Sequence, residues 1–426
     1  MSIFEIQIYR MGKVGSVKKL MLVVVFAVLS AALSAQKIKK AVFVIADGIP
    51  ADVVEKVATP NLDAIAHEGG YARAHVGGLL GGYSETPTIS AVGYNSLLTG
   101  TWVNKHNVWD NDIPDPNYHY YTIFRFLKEQ FPQKKTAVFS SWADNRTKLV
   151  GDGLPATGSF PVDYHFDGLE LDTVNYPHAD DRIFMHRIDE AVAEKAAEGI
   201  RSLAPDLTWV YLEFTDDMGH KYGDSPEFYK AVEYMDNQVG RLWDAIRYRE
   251  KNFNEEWEIY ITTDHGRKPD NGKGHGGQSD RERTIWIVTN AKHLNDYFYK
   301  GNSGVVDIMP TIAEFLGIKI PKGNLMEIDG VPLTGKISLS NPQAYLKDGR
   351  VTVNWKPQDK RGRVKVWMTT TNNFKTGGQD HYELAGTARL KDGKYTLPVE
   401  DSVAPFYKIV IEGPRNMVNT WLVEKK

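Results

Sequence analysis

Ala41–Asp47 reads AVFVIAD, six apolar residues running without a break into a carboxylate. The same texture returns twice: Thr208–His220 is TWVYLEFTDDMGH, and Trp257–His265 is WEIYITTDH. Short continuous runs rich in Val, Ile and aromatic residues are the mark of strands buried on both faces. Acid and imidazole groups stand where each run stops: Asp47, then Asp216 and His220, then Asp264 and His265. His275 lies in the loop-like Gly272–Gly277 (GKGHGG), ahead of the apolar run Thr284–Val288. Carboxylates and imidazoles collected at strand ends suit divalent metals, and two such ions can clamp a phosphoryl group.

Outward from these runs the chain alternates. Strands are expected at Lys39–Ala46, Lys135–Ser140, Leu207–Phe214, Glu256–Thr263 and Thr284–Thr289. Apolar spacing predicts helices over Thr59–Glu68 (a Thr cap with Pro at the first position), Ile183–Leu203, Glu227–Arg249 and Val305–Gly317. Strand–helix alternation predicts an α/β fold with a mostly parallel sheet covered by helices on both faces. Ligands in such folds sit beyond the carboxyl ends of the strands, where Asp47, Asp216 and Asp264 fall. Beyond about Ser338 the texture changes. Short alternating runs at Arg350–Trp355, Arg363–Thr369, Tyr407–Glu412 and Asn419–Val423 predict a C-terminal β-sandwich of about 85 residues, able to fold by itself.

The 426 residues suit a large enzyme domain plus an accessory domain. With 42% hydrophobic and 25% charged residues, large-scale disorder is not expected, and a net charge of −3 gives no basic field for a nucleic-acid polymer. Lys13, Lys18 and Lys19, then apolar Leu20–Leu33, then Ser34 and Ala35, follow the order of a secretory leader, with Met11 as an alternative start. Fourteen residues are short for a membrane span, which needs about 20, so no stable span is expected after cleavage. The absence of cysteine excludes disulfides and thiolate ligands. An exported chain without disulfides fits a bacterial periplasm or cell surface. The expected organisation is a leader at 1–35, a catalytic domain at 36–337 and the sandwich at 338–426.

Taken in order, Asp47-Gly, Thr59–Gly69 (TPNLDAIAHEG), Ser90 with Thr99-Gly100 downstream, Asp216-x-x-x-His220, Asp264-His265-Gly266 and His275-Gly-Gly resemble the motifs of the alkaline phosphatase superfamily. The chain looks most like the type I phosphodiesterase/nucleotide pyrophosphatase branch, over roughly Lys39–Gly335. The resemblance implies an alkaline-phosphatase-like core and two zinc ions, other divalent metals being alternatives. One ion would take Asp216, His220 and His275. The other would take Asp47, Asp264, His265 and the nucleophile oxygen of Ser90. Small hydroxyls near a helix start more often serve as caps, and Thr86, Thr88, Ser90, Ser96 and Thr99 all compete. The register of Leu97–Gly100 against the family favours Ser90, with Thr88 second. Asn111 stands where the family donates a neutral hydrogen bond to the phosphoryl oxygens; a turn asparagine is the bland alternative.

The chain also departs from that pattern. The branch usually has Thr as nucleophile, whereas Ser is the choice of the phosphatases. Ala91 replaces an aromatic that stacks on a nucleobase, leaving Tyr211 as the surviving half of the clamp. Ser90–Tyr94 (SAVGY) does not fit the sulfatase motif. Gly77–Gly82 (GGLLGG) lacks P-loop and dinucleotide spacing and reads as a flexible lip. Asp217 is expected to be solvated or capping rather than a spare ligand. His67, His75, His106, His119, His165, His178 and His186 lack paired spacing and are expected mostly on surfaces or loops. Trp102, Trp109, Tyr118, Tyr120 and Tyr121 read as packing or as a substrate cleft. The leading expectation is an exported two-metal hydrolase of small phosphate esters, a phosphodiesterase with Ser90 as covalent nucleophile. The alternatives are a phosphomonoesterase on the same site, or a surface binding protein with a vestigial metal site. No partner is assigned to the C-terminal module.

Overall fold

The computed structural model describes residues 36–300, 303–398, 404 and 406–423; the expected leader lies outside them. A seven-stranded sheet carries the core. Its strands are β1 (Ile38–Ala46), β2 (Gly70–His75), β3 (Thr136–Ser140), β4 (Tyr164–Phe166), β5 (Leu207–Leu212), β6 (Glu255–Thr262) and β7 (Thr284–Thr289), in the spatial order β2-β7-β6-β1-β5-β3-β4. Strands β6, β1, β5, β3 and β4 are parallel neighbours. Strand β7 runs against β6 and β2. The reversal matters for the site. An antiparallel partner needs no crossover, so the segment between β6 and β7 stays at the carboxyl end of β6. His275 lies in that segment.

Strand β1 shows why the sheet is buried on both sides. Its side chains alternate between faces. Ala41, Phe43 and Ile45 join one apolar layer, with Tyr94, Leu97, Ile308 and Ile312. Val42, Val44 and Ala46 join the other, with Ile188, Val192, Val232 and Val239. The first layer is covered by helices α2 (Ser90–Thr99) and α6 (Ile308–Leu316). The second is covered by α1 (Pro60–Glu68), α3 (Ile183–Ser202) and α5 (Pro226–Asn252), and α4 (Phe214–Tyr222) follows β5 directly. Burying each large side chain of β1 contributes roughly 1.5–3 kcal/mol.

Two expectations need correction. Thr59 does occupy the N-cap of α1, but its side chain makes no capping bond. The Asp236 carboxylate of α5 does this instead, accepting from the Asn61 and Leu62 amides at 3.2 and 2.9 Å. The helix expected over Val305–Gly317 opens as a 3-10 turn, Val305–Asp307, before continuing as α6.

The C-terminal strands are β8 (Leu339–Lys347), β9 (Arg350–Pro357), β10 (Arg363–Thr369), β11 (Glu383–Arg389), β12 (Lys394–Pro398), β13 (Phe406–Glu412) and β14 (Met417–Val423). They form two antiparallel sheets, ordered β11-β10-β13-β14 and β12-β9-β8. Val351, Val353, Val366 and Ile409 belong to the same apolar cluster as Tyr94 and Ile308. Polar contacts cross the same seam. Lys105, fully buried, donates to Asn419 Oδ1 at 2.8 Å and pairs with Asp329. Asn419 donates to the Ile328 carbonyl at 2.7 Å, and buried Lys408 pairs with Glu327 and Asp380. The Trp421 ring lies 5.6 Å from both ammonium groups and stacks on Tyr83.

This seam bears on the expectation that the sandwich folds alone. A chain ending at Gly335 strips Lys105 of one acceptor and uncovers Glu327 and apolar surface, a combination expected to cost several kcal/mol. It should be insoluble or melt far below the full chain in a thermal scan; an unchanged melting temperature would show that the seam contributes little.

Candidate active site

Three neighbouring strands deliver the ligands. Ala46 pairs with Leu212 of β5, and Ile45 with Thr262 of β6, so β1, β5 and β6 end side by side. Cross-ties lock the ends. Thr215 Oγ1 donates to the Asp47 carbonyl at 2.6 Å, the Gly48 amide to Asp264 Oδ1 at 3.1 Å, and the Ile49 amide to Thr263 Oγ1 at 3.0 Å. Gly48 has φ +68°, and a Cβ there would strike Asp216 and Arg267. The sharp turn after β1 therefore requires glycine.

The six expected Asp and His ligands gather as two groups, Asp47–Asp264–His265 and Asp216–His220–His275. In each, one donor atom per residue lies within 4.8 Å of the others. In the first group, His265 Nε2 is 3.1 Å from Asp264 Oδ2 and 3.4 Å from Asp47 Oδ1. Those two oxygens are buried and have no hydrogen-bond donor. The remaining oxygen of Asp47 accepts from Tyr94 and, at 2.8 Å, from Tyr211. In the second group, His220 Nε2 is 3.1 Å from Asp216 Oδ2 and 3.0 Å from His275 Nε2. The His265 and His275 rings stack at 3.7 Å and join the groups.

The imidazoles are prepared as ligands. Nδ1 of His265 faces the Gly266 carbonyl at 2.9 Å, and Nδ1 of His275 faces the Thr88 carbonyl at 2.8 Å. Each carbonyl needs an N–H, which leaves Nε2 with its lone pair toward the site. Burial holds both rings below their ordinary range, hence neutral. Burial and the charge of Asp216 push Asp47 up to about 7, and burial with Asp47 drives Asp264 well up. Burial raises Asp216 too, but the charge of Arg267 and the hydrogen bond from His220 outweigh it and hold it well below the usual carboxylate range. Two buried carboxylates with orphan oxygens aimed at one imidazole lone pair is a donor set completed by a cation. The residues therefore fit a pair of divalent metals.

Ser90 is the first residue of α2, with its Oγ 3.4 Å from His265 Nε2. Gly93 lets the helix come this close, because a Cβ there would lie 2.8 Å from both Cβ and O of Asp264. Thr88 has another task. Its hydroxyl donates to Gly277 O and accepts from the Gly276 amide, both at 2.9 Å, and so shapes the loop holding His275. Asn111 Oδ1 accepts from the Ala91 amide at 3.0 Å, which commits the oxygen and leaves the amide nitrogen to donate. Ser90, Asn111, Asp47 and Asp216 line a cavity of about 450 Å³ together with Trp142, Glu170, Arg182 and Glu213.

Several expectations change. Tyr211 lines the cavity, but it is only 2% exposed and its hydroxyl orients Asp47. Asp217 is neither solvated nor a cap; it is buried and paired with Arg182. His106 is fully buried, 3.0 Å from Ser96 Oγ, whereas His178 is an exposed loop residue as expected, at the edge of the cavity. The Gly77–Gly82 segment is pinned by Arg283, which donates to the Gly77 and Gly78 carbonyls. Trp102 and Tyr120 pack in the core. Sequence reasoning missed Tyr94 and Arg267. Tyr94 lies one helical turn after Ser90, and that spacing was the available signal. Arg267 is fully buried, donating to the Gly48 carbonyl at 2.9 Å, to the Asp216 carbonyl at 2.8 Å and to Asp216 Oδ1.

Residues 41–281 match the model of the type I phosphodiesterase/nucleotide pyrophosphatase family, a span holding every candidate ligand. Ectonucleotide pyrophosphatase/phosphodiesterase family member 7 of Homo sapiens is 26% identical over 234 residues, covering 52% of this chain and 46% of the relative. Venom phosphodiesterase 2 of Crotalus adamanteus is 25% identical over 197 residues, covering 42% and 21%. The chain spans about half the length of the first curated relatives it matches. Among solved structures, Ps i-CgsB in complex with k-i-k-neocarrahexaose aligns with a TM-score of 0.50 at 17% identity, covering 76% of this chain and 82% of the other. That likeness concerns the fold alone.

The seat of α2 can be tested at Gly93. Gly93→Ala should destabilise the protein by about 1–3 kcal/mol through overpacking and lower its metal content. Gly323→Ala, with nothing within 4 Å of the new methyl, should be neutral or stabilising by up to about 1 kcal/mol. Equal melting temperatures for the two variants would show that the close approach at Gly93 is not a constraint.

Proposed function

Because the chain belongs to the type I phosphodiesterase/nucleotide pyrophosphatase family, we propose that it is a two-metal hydrolase of phosphate esters, with Ser90 as covalent nucleophile and small phosphodiesters as substrates. One observation carries this reading. The orphan oxygens of Asp47 and Asp264 converge with His265 Nε2, and the Ser90 hydroxyl stands 3.4 Å from that nitrogen.

When bound, divalent ions (zinc is our assignment from a nitrogen and carboxylate donor set without thiolate) supply Lewis-acid stabilisation of charge on phosphoryl, nucleophile and leaving oxygens. The chain's own residues do the rest. Asp47, Asp264 and His265 would hold one ion, and Asp216, His220 and His275 the other. Ser90 Oγ attacks phosphorus and its proton passes to the ester alcohol that leaves as the opposite P–O bond breaks; water then displaces the serine to release the phosphate monoester. Ser90 opens α2, so the positive end of that helix's dipole favours the developing negative charge. Asn111 Nδ2 donates to a phosphoryl oxygen, with its amide plane fixed by the Ala91 N–H.

The cavity favours a monoanionic diester. Asn111 is a neutral donor, Glu170 and Glu213 are acidic, and Arg182 is committed to Asp217. Among the described residues lining the cavity the one arginine is already paired, so a second charge on the phosphate is poorly met. Ala91 and Tyr211 are both buried, so a stacking platform there is missing and discrimination among nucleobases should be weak. Phosphomonoesterase activity is the second reading, favoured by a serine in place of threonine. Export rests on the pattern from Lys13 to Ala35; among the described residues no helix is long and apolar enough to cross a membrane. Secreted protein should begin at Gln36 by mass spectrometry, and a retained leader would refute cleavage there.

Ser90→Ala should lower turnover by about 10³–10⁶-fold with folding intact. Thr88→Ala acts only through the His275 loop and should cost about 100-fold or less; the reverse ranking would move the nucleophile to Thr88. Comparing kcat/KM for bis- and mono-nitrophenyl phosphate tests the substrate class. The diester should win and chelation should abolish both activities, whereas a clear monoester preference would replace the diesterase reading.

A further inference from the structure

The two candidate metal sites draw on the same residue types but sit in unlike electrostatic surroundings. Asp47 and Asp264 give the first site two carboxylates. Among the hydrogen bonds to them, every donor is neutral: the Tyr94 and Tyr211 hydroxyls, the Thr263 hydroxyl and the Gly48 amide. The side chains of Asp47, Asp264 and His265 are at most 2% exposed. The second site has one carboxylate, Asp216, and half of it is already engaged. Arg267, itself fully buried, donates to Asp216 Oδ1, so only Oδ2 is turned toward His220. Its guanidinium nearly cancels the formal charge of that site. The side chain of His220 is 49% exposed.

We propose that Arg267 makes the sites unequal: Asp47–Asp264–His265 takes its divalent ion first and holds it, whereas Asp216–His220–His275 fills second and exchanges with solvent. This rests on the two-metal reading above. At an effective dielectric near 20, a unit charge a few ångströms from an ion shifts its affinity by about a hundredfold or more. The first site gains an additional carboxylate and has no guanidinium bonded to its ligand side chains, whereas Arg267 bonds Asp216 directly, and burial reduces screening by salt. Arg267 is nonetheless needed for position. Its fork spans the Gly48 carbonyl, the Asp216 carbonyl and carboxylate, and, at 3.4 Å, the Lys273 carbonyl two residues before His275. It therefore holds the segments carrying Asp47, Asp216 and His275 together while weakening the ion that Asp216 helps to bind. It is a positioning residue that tunes affinity, not a group that touches substrate.

The test is a titration of metal-free full-length protein with zinc, in competition with a chromophoric chelator. The proposal expects two ions per chain, bound in steps separated by about a hundredfold or more. His220→Ala should remove the weaker step and leave the tighter one unchanged. Arg267→Met should narrow the separation by about tenfold or more. If that variant does not fold, Arg267→Lys, which keeps the charge, should preserve the separation. Two equal steps, loss of the tighter step in His220→Ala, an unchanged separation in folded Arg267→Met, or a collapsed separation in Arg267→Lys would each overturn the inference while leaving the two-metal reading standing. Fewer than two ions per chain would overturn both.

Discussion

The parallel ladder of β5, β1 and β6 is the constraint on which the site depends. Three buried carboxylates repel one another, and burial already raises Asp47 and Asp264. No local turn would hold such a set. The ladder does so because each strand is fixed along its length by neighbours on both sides, and because Thr215, Gly48 and Thr263 tie the ends across the strands. The apolar layers above and below make the ladder stiff. The stability of the whole α/β core thus maintains a local electrostatic arrangement that is unfavourable without a cation.

Much of this was legible in the sequence, for an identifiable reason. A carboxylate that ends a run of β-branched and aromatic residues is forced to a strand terminus, so its placement follows from its neighbours along the chain. Asp47, Asp216 and Asp264 were readable in that way, and the His residues followed by spacing and by resemblance. The reversed direction of β7 was not readable, since a buried strand carries no directional mark in its composition. Arg267 was not readable either. An arginine in a glycine-rich loop reads as solvated, and only tertiary contacts from Gly48, Asp216 and Lys273 reveal it as fully enclosed. Thr59 failed for a related reason: a better acceptor, Asp236, arrived from another helix.

The serine's position repeats the same logic at smaller scale. Ser90 is useful only if α2 lies almost against the end of β6, and Gly93 permits that approach. Tyr94, one turn on, then reaches Asp47. One helical face therefore carries the nucleophile, the close contact and a ligand-orienting hydroxyl, so a change in helix position alters all three together.

The seam around Lys105 has a consequence for when the chain can fold. Lys105 and the Glu327–Asp329 segment are enclosed only once Asn419 and Trp421 are in place. Asn419 lies 314 residues after Lys105. A ribosome must therefore add those residues before this side of the core can be sealed, and contacts of such long sequence separation form slowly.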